Sequence, residues 1–303
     1  MYPFEIFLGM GLYEIFLTIG IVAVFFLADK GAVKCAFSLT AQKLLIVAFL
    51  VAIAFGFLGA VLFQAFYDFL KTGVFQITAT TGMTFYGGLI FGVIAFLLVW
   101  FLGGRKFCKA GEEKKKFPVI ADMAACLIPL AHAFGRIGCF FAGCCHGKTT
   151  DKWFGVKMLT ETGWRTVVPV QLFEAAFLLL LSVALMVIFL KKYQIKLAKE
   201  KREKPQENQE NQAKTGENLQ KAGNTFWQFC KQTPLLAAYA VLYGIWRFCI
   251  EYARADDRGA SGISFLSPSQ LTAILLICVG AAWCVWAFIR QRNSTENCGG
   301  KSR

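Results

Sequence analysis

Long apolar runs alternate along the chain with shorter polar segments. Seven of them reach membrane-crossing length, at roughly 4–27, 43–66, 82–102, 119–135, 168–190, 235–254 and 269–289. A helix that spans a bilayer needs about 17–25 mostly apolar residues. The pattern predicts an all-α polytopic membrane protein with about seven transmembrane helices in one domain, 1–303. The opening "MYPFEIFLGM" has neither a basic leader region nor a small-residue cleavage site, so the first run is expected to be a retained helix.

Two segments interrupt the apolar pattern. Residues 136–168 are expected to form an outer loop, with Trp153 and Trp164 at an interface or in a small external subdomain. Residues 191–233 form a polar linker. Its central part, "KLAKEKREKPQENQENQAKTGENLQKAGN" (196–224), has too few apolar residues to bury and is expected to be disordered. Within the third run, Gly88 and Gly92 are spaced for close approach of a neighbouring helix.

Composition agrees with the pattern. Hydrophobic residues make up 56% of the chain, against about 45–50% in soluble domains, and phenylalanine occurs 31 times. The net charge of +13 by itself could indicate nucleic acid. Its placement argues otherwise. Most of the 32 basic residues fall in alternate loops: Lys30 to Lys43, the segment 103–117, the segment from Lys191, and the tail from Arg290. The positive-inside rule then predicts an external N-terminus and a cytoplasmic C-terminus, with no nucleic-acid partner.

Charged side chains at membrane depth are costly and mark candidate sites. His132 and Arg136 lie one helical turn apart, at the expected outer end of the fourth span, and Gly138 offers a point where backbone can turn toward a ligand. Arg247, Glu251 and Arg254 follow at i, i+4 and i+7, which predicts a single face of one helix. Two arginine forks from different helices suit the phosphate of a lipid head group; an Arg–Glu pair can equally serve only to hold helices in register. Gln171 and Glu174 lie three apart after Pro169, and could simply cap a helix start. Tyr86 precedes Gly87 and Gly88, where a plain interfacial anchor is the competing reading.

Eleven cysteines are present, and only Cys139, Cys144 and Cys145 cluster, within "HAFGRIGCFFAGCCHG" (132–147). Their spacing is compressed relative to zinc sites, so no metal is expected. A disulfide from Cys139 to Cys144 or Cys145 stays open, beside the plainer reading of small residues in a close-packed turn.

Four segments together resemble the phosphatidylglycerol–prolipoprotein diacylglyceryl transferase family. "HAFGRIGCFFAGCCHG" is similar to its G-R-x-G-N-F-x-N-x-E signature, and "FYGGLIFG" to its [HY]-G-G-L segment. "VPVQLFEA" is similar to P-[ST]-Q-L-Y-E. "YGIWRFCIEYARADDRG" with "LSPSQL" is similar to its R-F-x-x-E-x-x-R helix and the S-x-x-Q start of its last span. The resemblance covers nearly the whole chain outside 196–224.

It implies a multi-pass enzyme of the bacterial plasma membrane that moves a diacylglyceryl group from phosphatidylglycerol to the lipobox cysteine of a prolipoprotein signal peptide. Membrane lipids are its surroundings, and no cofactor is implied. By the same resemblance Arg136 and Arg247 act on the lipid phosphate, with Arg254, Gly138 and Gly147 in the binding set. Glu251, Gln171, Glu174, Gly87 and Gly88 support them. Removing Arg136 is then expected to abolish transfer without unfolding the chain. Cys139 stands where the family has asparagine, Cys144 where it has glutamate, Tyr86 where it often has histidine, and Met10 where it has tyrosine. A phenol is a poor base near neutral pH, whereas His132 or His146 titrates in the right range and could supply one. Two other readings remain: a paralogous lipid transferase with a different acceptor or donor, and a non-catalytic lipid or thiol sensor.

Overall fold

The structure, a computed structural model, describes residues 11–78, 81–160, 163–203, 234–255 and 266–299. Met10 and residues 204–233 of the polar linker lie outside the described residues. Among the described residues, seven helices are long and apolar enough to cross a membrane, which bears out the all-α polytopic expectation. The chain divides into two compact units, one of Phe25–Val119 and one of Met1–Val24 with Ile120–Arg303.

The smaller unit is built on α2 (Leu39–Thr72) and α3 (Phe85–Leu98). Helix α2 starts at Ser38, whose Oγ accepts from the Ala41 N–H at 3.1 Å and donates to Glu112 at 2.8 Å. It stops at Gly73, where φ is 74° and the N–H donates back to the Phe69 carbonyl. The two helices touch through glycine. A Cβ added to Gly59 would lie 2.8 Å from the Gly87 carbonyl oxygen, and one on Gly92 would lie 3.1 Å from that of Ala52. The close approach expected of Gly88 and Gly92 is therefore present, and Gly87 joins it. After α3 the backbone widens into a π-helical turn, Val99–Gly103, before the short α4 (Gly104–Phe107). Trp100 in that turn is fully buried and donates its indole N–H to the Glu113 carbonyl at 3.0 Å.

The larger unit contains the start of α1 (Leu12–Lys34), most of α5 (Glu112–Ala142), and α6 (Val170–Glu203), α7 (Leu235–Ile250) and α8 (Pro268–Gly299). Helix α5 is longer than the 119–135 run because its ends, "EEKKKF" and "GRIGCFFA", are polar or glycine-rich, so hydropathy alone undersizes it. Pro129 lies inside it and removes one backbone donor; in the same stretch Ser182 of α6 donates its hydroxyl to the Cys126 carbonyl at 2.8 Å. Helices α7 and α8 are close neighbours, since a Cβ on Gly244 would lie 2.9 Å from the Ala273 carbonyl and one on Gly280 equally close to that of Ala237. Asp122 is a buried junction. Its carboxylate takes Lys192 Nζ at 2.7 Å, Tyr193 Oη at 2.8 Å and the Leu235 N–H at 2.8 Å. Helix α6 runs on to Glu203, into the segment expected to lack structure.

Between α5 and α6 stands an element the apolar pattern did not indicate. Strands β1 (Val156–Thr160) and β2 (Gly163–Val167) form an antiparallel hairpin with Val156 opposite Val167. Met158 is fully buried beneath it, while Trp153 and Trp164 face outward.

Candidate active site

The polar residues of the larger unit converge on Glu174. Its first turn of α6 points inward, and the residue has no exposed surface. Arg136, from α5, places Nε 3.0 Å from Glu174 Oε2, and Arg254 places Nη1 3.6 Å from the same oxygen. Tyr243, from α7, donates its hydroxyl to Oε1 at 3.3 Å. Glu174 is therefore the counter-ion of two arginines from different elements, not a helix cap. A carboxylate can be held this deep because charges of opposite sign surround it. Oε2 itself has no hydrogen-bond partner among the described residues.

His132 and Arg136 share a face of α5 as expected, but ten and six residues before the helix ends at Ala142 rather than at its tip. The Arg136 Nε–H donates to His132 Nε2 at 3.1 Å. A guanidinium can only donate, so Nε2 must accept and the imidazole is neutral with its proton on Nδ1. Its 3.7 Å approach to Glu174 is then a contact and not an ion pair. The Tyr243 ring packs edge-on against the imidazole at 5.4 Å.

The single-face reading of Arg247, Glu251 and Arg254 is corrected. Helix α7 ends at Ile250, a 3-10 turn covers Glu251–Ala253, and Arg254 has left the helix with φ −80° and ψ 152°. It bridges antiparallel to Gly147. Gly147 itself donates its N–H to the Val168 carbonyl at 2.9 Å, and Lys148 donates to that of Ala253 at 3.0 Å. Strand-like pairing, and not helical periodicity, brings the Arg254 guanidinium under Glu174. Arg247 does follow the helical rule. Its Nη2 lies 2.8 Å from Glu251 Oε2 and donates to Ser269 Oγ at 2.9 Å. Ser267 Oγ donates to the other Glu251 oxygen at 2.9 Å.

Three arginines and two carboxylates leave one positive charge in excess at this site, counted over the described residues. Arg247 Nη1 is buried and has no hydrogen-bond partner among them, and neither has the neighbouring Trp246 Nε1. A buried charged donor left unsatisfied is costly, and an anionic acceptor would remove the cost.

Both glycines expected at the phosphate have packing tasks. A Cβ on Gly138 would lie 3.2 Å from the Tyr13 carbonyl oxygen, so this glycine seats α1 against α5 inside a continuing helix instead of turning the chain. A Cβ on Gly147 would lie 2.7 Å from the Ala253 carbonyl and 2.8 Å from Val168, which would break the bridge to Arg254. Gln171 is fully buried and donates to the Cys144 carbonyl at 2.7 Å, so it ties the loop after α5 to α6. His146, in that loop, holds Nδ1 3.0 Å from the Gly147 carbonyl. A carbonyl only accepts, so Nδ1 carries the proton and Nε2 is the basic nitrogen.

The sulfurs of Cys139, Cys144 and Cys145 all lie within 4.8 Å of one another. The Cys145 thiol is held below the ordinary thiol range by hydrogen bonds from Cys139 and Cys144, with attraction to Arg254 and Arg136 adding to it. The Cys144 thiol is raised, first by its hydrogen bonds to the same two partners. Tyr86, Gly87 and Gly88 belong to the smaller unit, on the first turn of α3, where Tyr86 is exposed.

Tyr243, Ser267 and Ser269 complete the cluster, although charge and spacing do not mark them as site residues. Each lay inside a quoted motif, and a hydroxyl at membrane depth was the available signal.

The family model for prolipoprotein diacylglyceryl transferase matches residues 2–204 and 221–286. A protein of Aeromonas salmonicida named phosphatidylglycerol--prolipoprotein diacylglyceryl transferase is 30% identical over 264 residues, 85% of this chain and 77% of that protein. One of Clostridium tetani with the same name is 30% identical over 205 residues, 66% of this chain and 61% of that protein, so this alignment spans less than two thirds of the relative. A Pectobacterium atrosepticum protein of that name is 29% identical over 82% of the chain and 78% of its own length. The family match covers most of the chain, so the chain belongs to the prolipoprotein diacylglyceryl transferase family.

Proposed function

We propose that the chain transfers a diacylglyceryl group from phosphatidylglycerol to the cysteine thiol of a prolipoprotein signal peptide, in the plasma membrane of a bacterium. The observation that carries this reading is the convergence of Arg136 and Arg254 on Glu174, with Arg247 beside them presenting a buried Nη1 that has no hydrogen-bond partner among the described residues. The names of the relatives support it. Its N-terminus is external and its C-terminus cytoplasmic, on the distribution of basic residues. Nucleic acid is no partner.

In the reaction the acceptor sulfur attacks the terminal glyceryl carbon that bears the phosphate. The new S–C bond forms as the C–O bond to phosphorus breaks, and glycerol phosphate leaves with the electron pair. Negative charge grows on the phosphate oxygens in that step, and preorganised guanidinium groups stabilise it. The thiol proton goes to His146 Nε2, whose tautomer is set by the Gly147 carbonyl. His132 has its Nε2 lone pair engaged by Arg136. It positions that arginine.

Cys139 and Cys144, at positions where the signature has Asn and Glu, favour one second reading: the same phosphate site serving a different acceptor. Purified protein with labelled phosphatidylglycerol and a lipobox peptide distinguishes the two. Thioether-linked peptide supports the first reading. Release of glycerol phosphate without modified peptide supports the second, and neither product overturns both.

A further inference from the structure

Cys139, Cys144 and Cys145 form a sulfur cluster of their own beside Arg136 and Arg254. Cys139 is on the last turn of α5, and the chain must reverse at once to bring two adjacent cysteines back to it. Gly143 turns with φ 78°, and Cys145 adopts φ 59°, one of only two non-glycine positive values among the described residues. A left-handed backbone is disfavoured for L-residues other than glycine. Neighbouring side chains in extended backbone point apart, and this reversal is what sends both toward Cys139. The turn is fixed on two sides: the Cys144 N–H donates to the Cys139 carbonyl at 3.2 Å, and Gln171 holds the Cys144 carbonyl.

The geometry points to a binding site for one soft d10 metal ion, Zn(II) or Cu(I), held by the thiolates of Cys139, Cys144 and Cys145. Sulfur ligands about 2.3 Å from an ion in a trigonal plane are about 4 Å apart, and the three Sγ atoms already fall within 4.8 Å. The set contains sulfur alone, which selects soft ions over Mg(II) or Ca(II). Cys144 is exposed, so an ion can reach it and keep an open coordination position. Each metal–sulfur bond replaces an S–H bond and releases one proton, with no change of oxidation state. The proposal departs from the expectation drawn from spacing, which treats adjacent cysteines as poor joint ligands. The site is independent of the proposed transfer reaction, and binding alone tests it.

The test uses full-length protein in detergent micelles with its thiols reduced under inert gas. It is titrated with Cd(II), a spectroscopic substitute for Zn(II), and with Cu(I) against a competing chelator. One ion per chain is expected, with sulfur-to-metal charge-transfer absorption. Cys144→Ser should weaken binding by at least the roughly 10–100-fold that loss of an outer-shell partner costs, whereas Cys249→Ser, at an exposed cysteine of α7, should not. The tighter of the two ions identifies which one the site takes. Equal uptake by the wild type and the Cys139→Ser/Cys144→Ser/Cys145→Ser variant overturns the proposal, as does unchanged binding by Cys144→Ser, whose folding a thermal melt verifies.

Discussion

Arg136 Nε sits 3.0 Å from Oε2 of Glu174, a carboxylate with no exposed surface. The arginine thus already has a protein counter-ion, and an anionic substrate would share it rather than meet a bare cation. That revises the expectation that Arg136 can be removed without structural cost. Arg136→Ala should abolish transfer and also lower stability by about 3–5 kcal/mol, because a buried charge loses a partner. Arg136→Lys should keep most of the stability but not the fork, and still transfer poorly. Thermal melts in detergent beside product assays separate the two effects.

Glu174→Gln removes the negative charge on which Arg136 and Arg254 converge. Two guanidinium groups then repel each other across a buried amide. The variant should melt at lower temperature than the wild type, and high salt should not restore it, since screening acts weakly on buried charges. A melting curve indistinguishable from wild type would show that Glu174 is not the counter-ion described.

The two histidines should behave differently. His146→Gln should cut turnover by about 10²–10⁴-fold, because the base is gone. His132→Gln can still accept from Arg136 and should retain most of its turnover. The reverse outcome would assign the proton to His132.

Glycine at 147 is a spatial requirement. Gly147→Ala would place a methyl 2.7 Å from the Ala253 carbonyl and push Arg254 away from Glu174. Gly135→Ala, one turn from His132, meets nothing within 4 Å. The first should lose transfer and stability together; the second should behave as wild type, with a small gain from better helix propensity.

What could be read in advance depended on how local the information was. The spans were legible because each is an uninterrupted apolar run, and Arg247 with Glu251 because they sit one helical turn apart. Arg254 was misplaced because its position depends on the chain leaving the helix at Ile250 and pairing with Gly147, more than a hundred residues away. Glu174 read as a cap for the same reason: its partners come from α5 and from beyond α7. The hairpin escaped notice because "VKMLT" and "GWRTV" are short and carry no clean alternation. Gly138 was assigned to the ligand because a glycine beside an arginine looks the same in one dimension whether lipid or Tyr13 fills the space.

Asp122 has one further consequence. Tyr193, near the membrane-spanning end of α6, and Leu235, which opens α7, both bind its carboxylate, so the long stretch between them departs from and returns to a single anchor point. Closure entropy changes by only about 0.6 kcal/mol for each doubling of loop length. Insertions and deletions between those two residues are therefore nearly invisible to the arginine cluster. That stretch can be lengthened, shortened or given a reporter domain while the chemistry next to Glu174 stays in place.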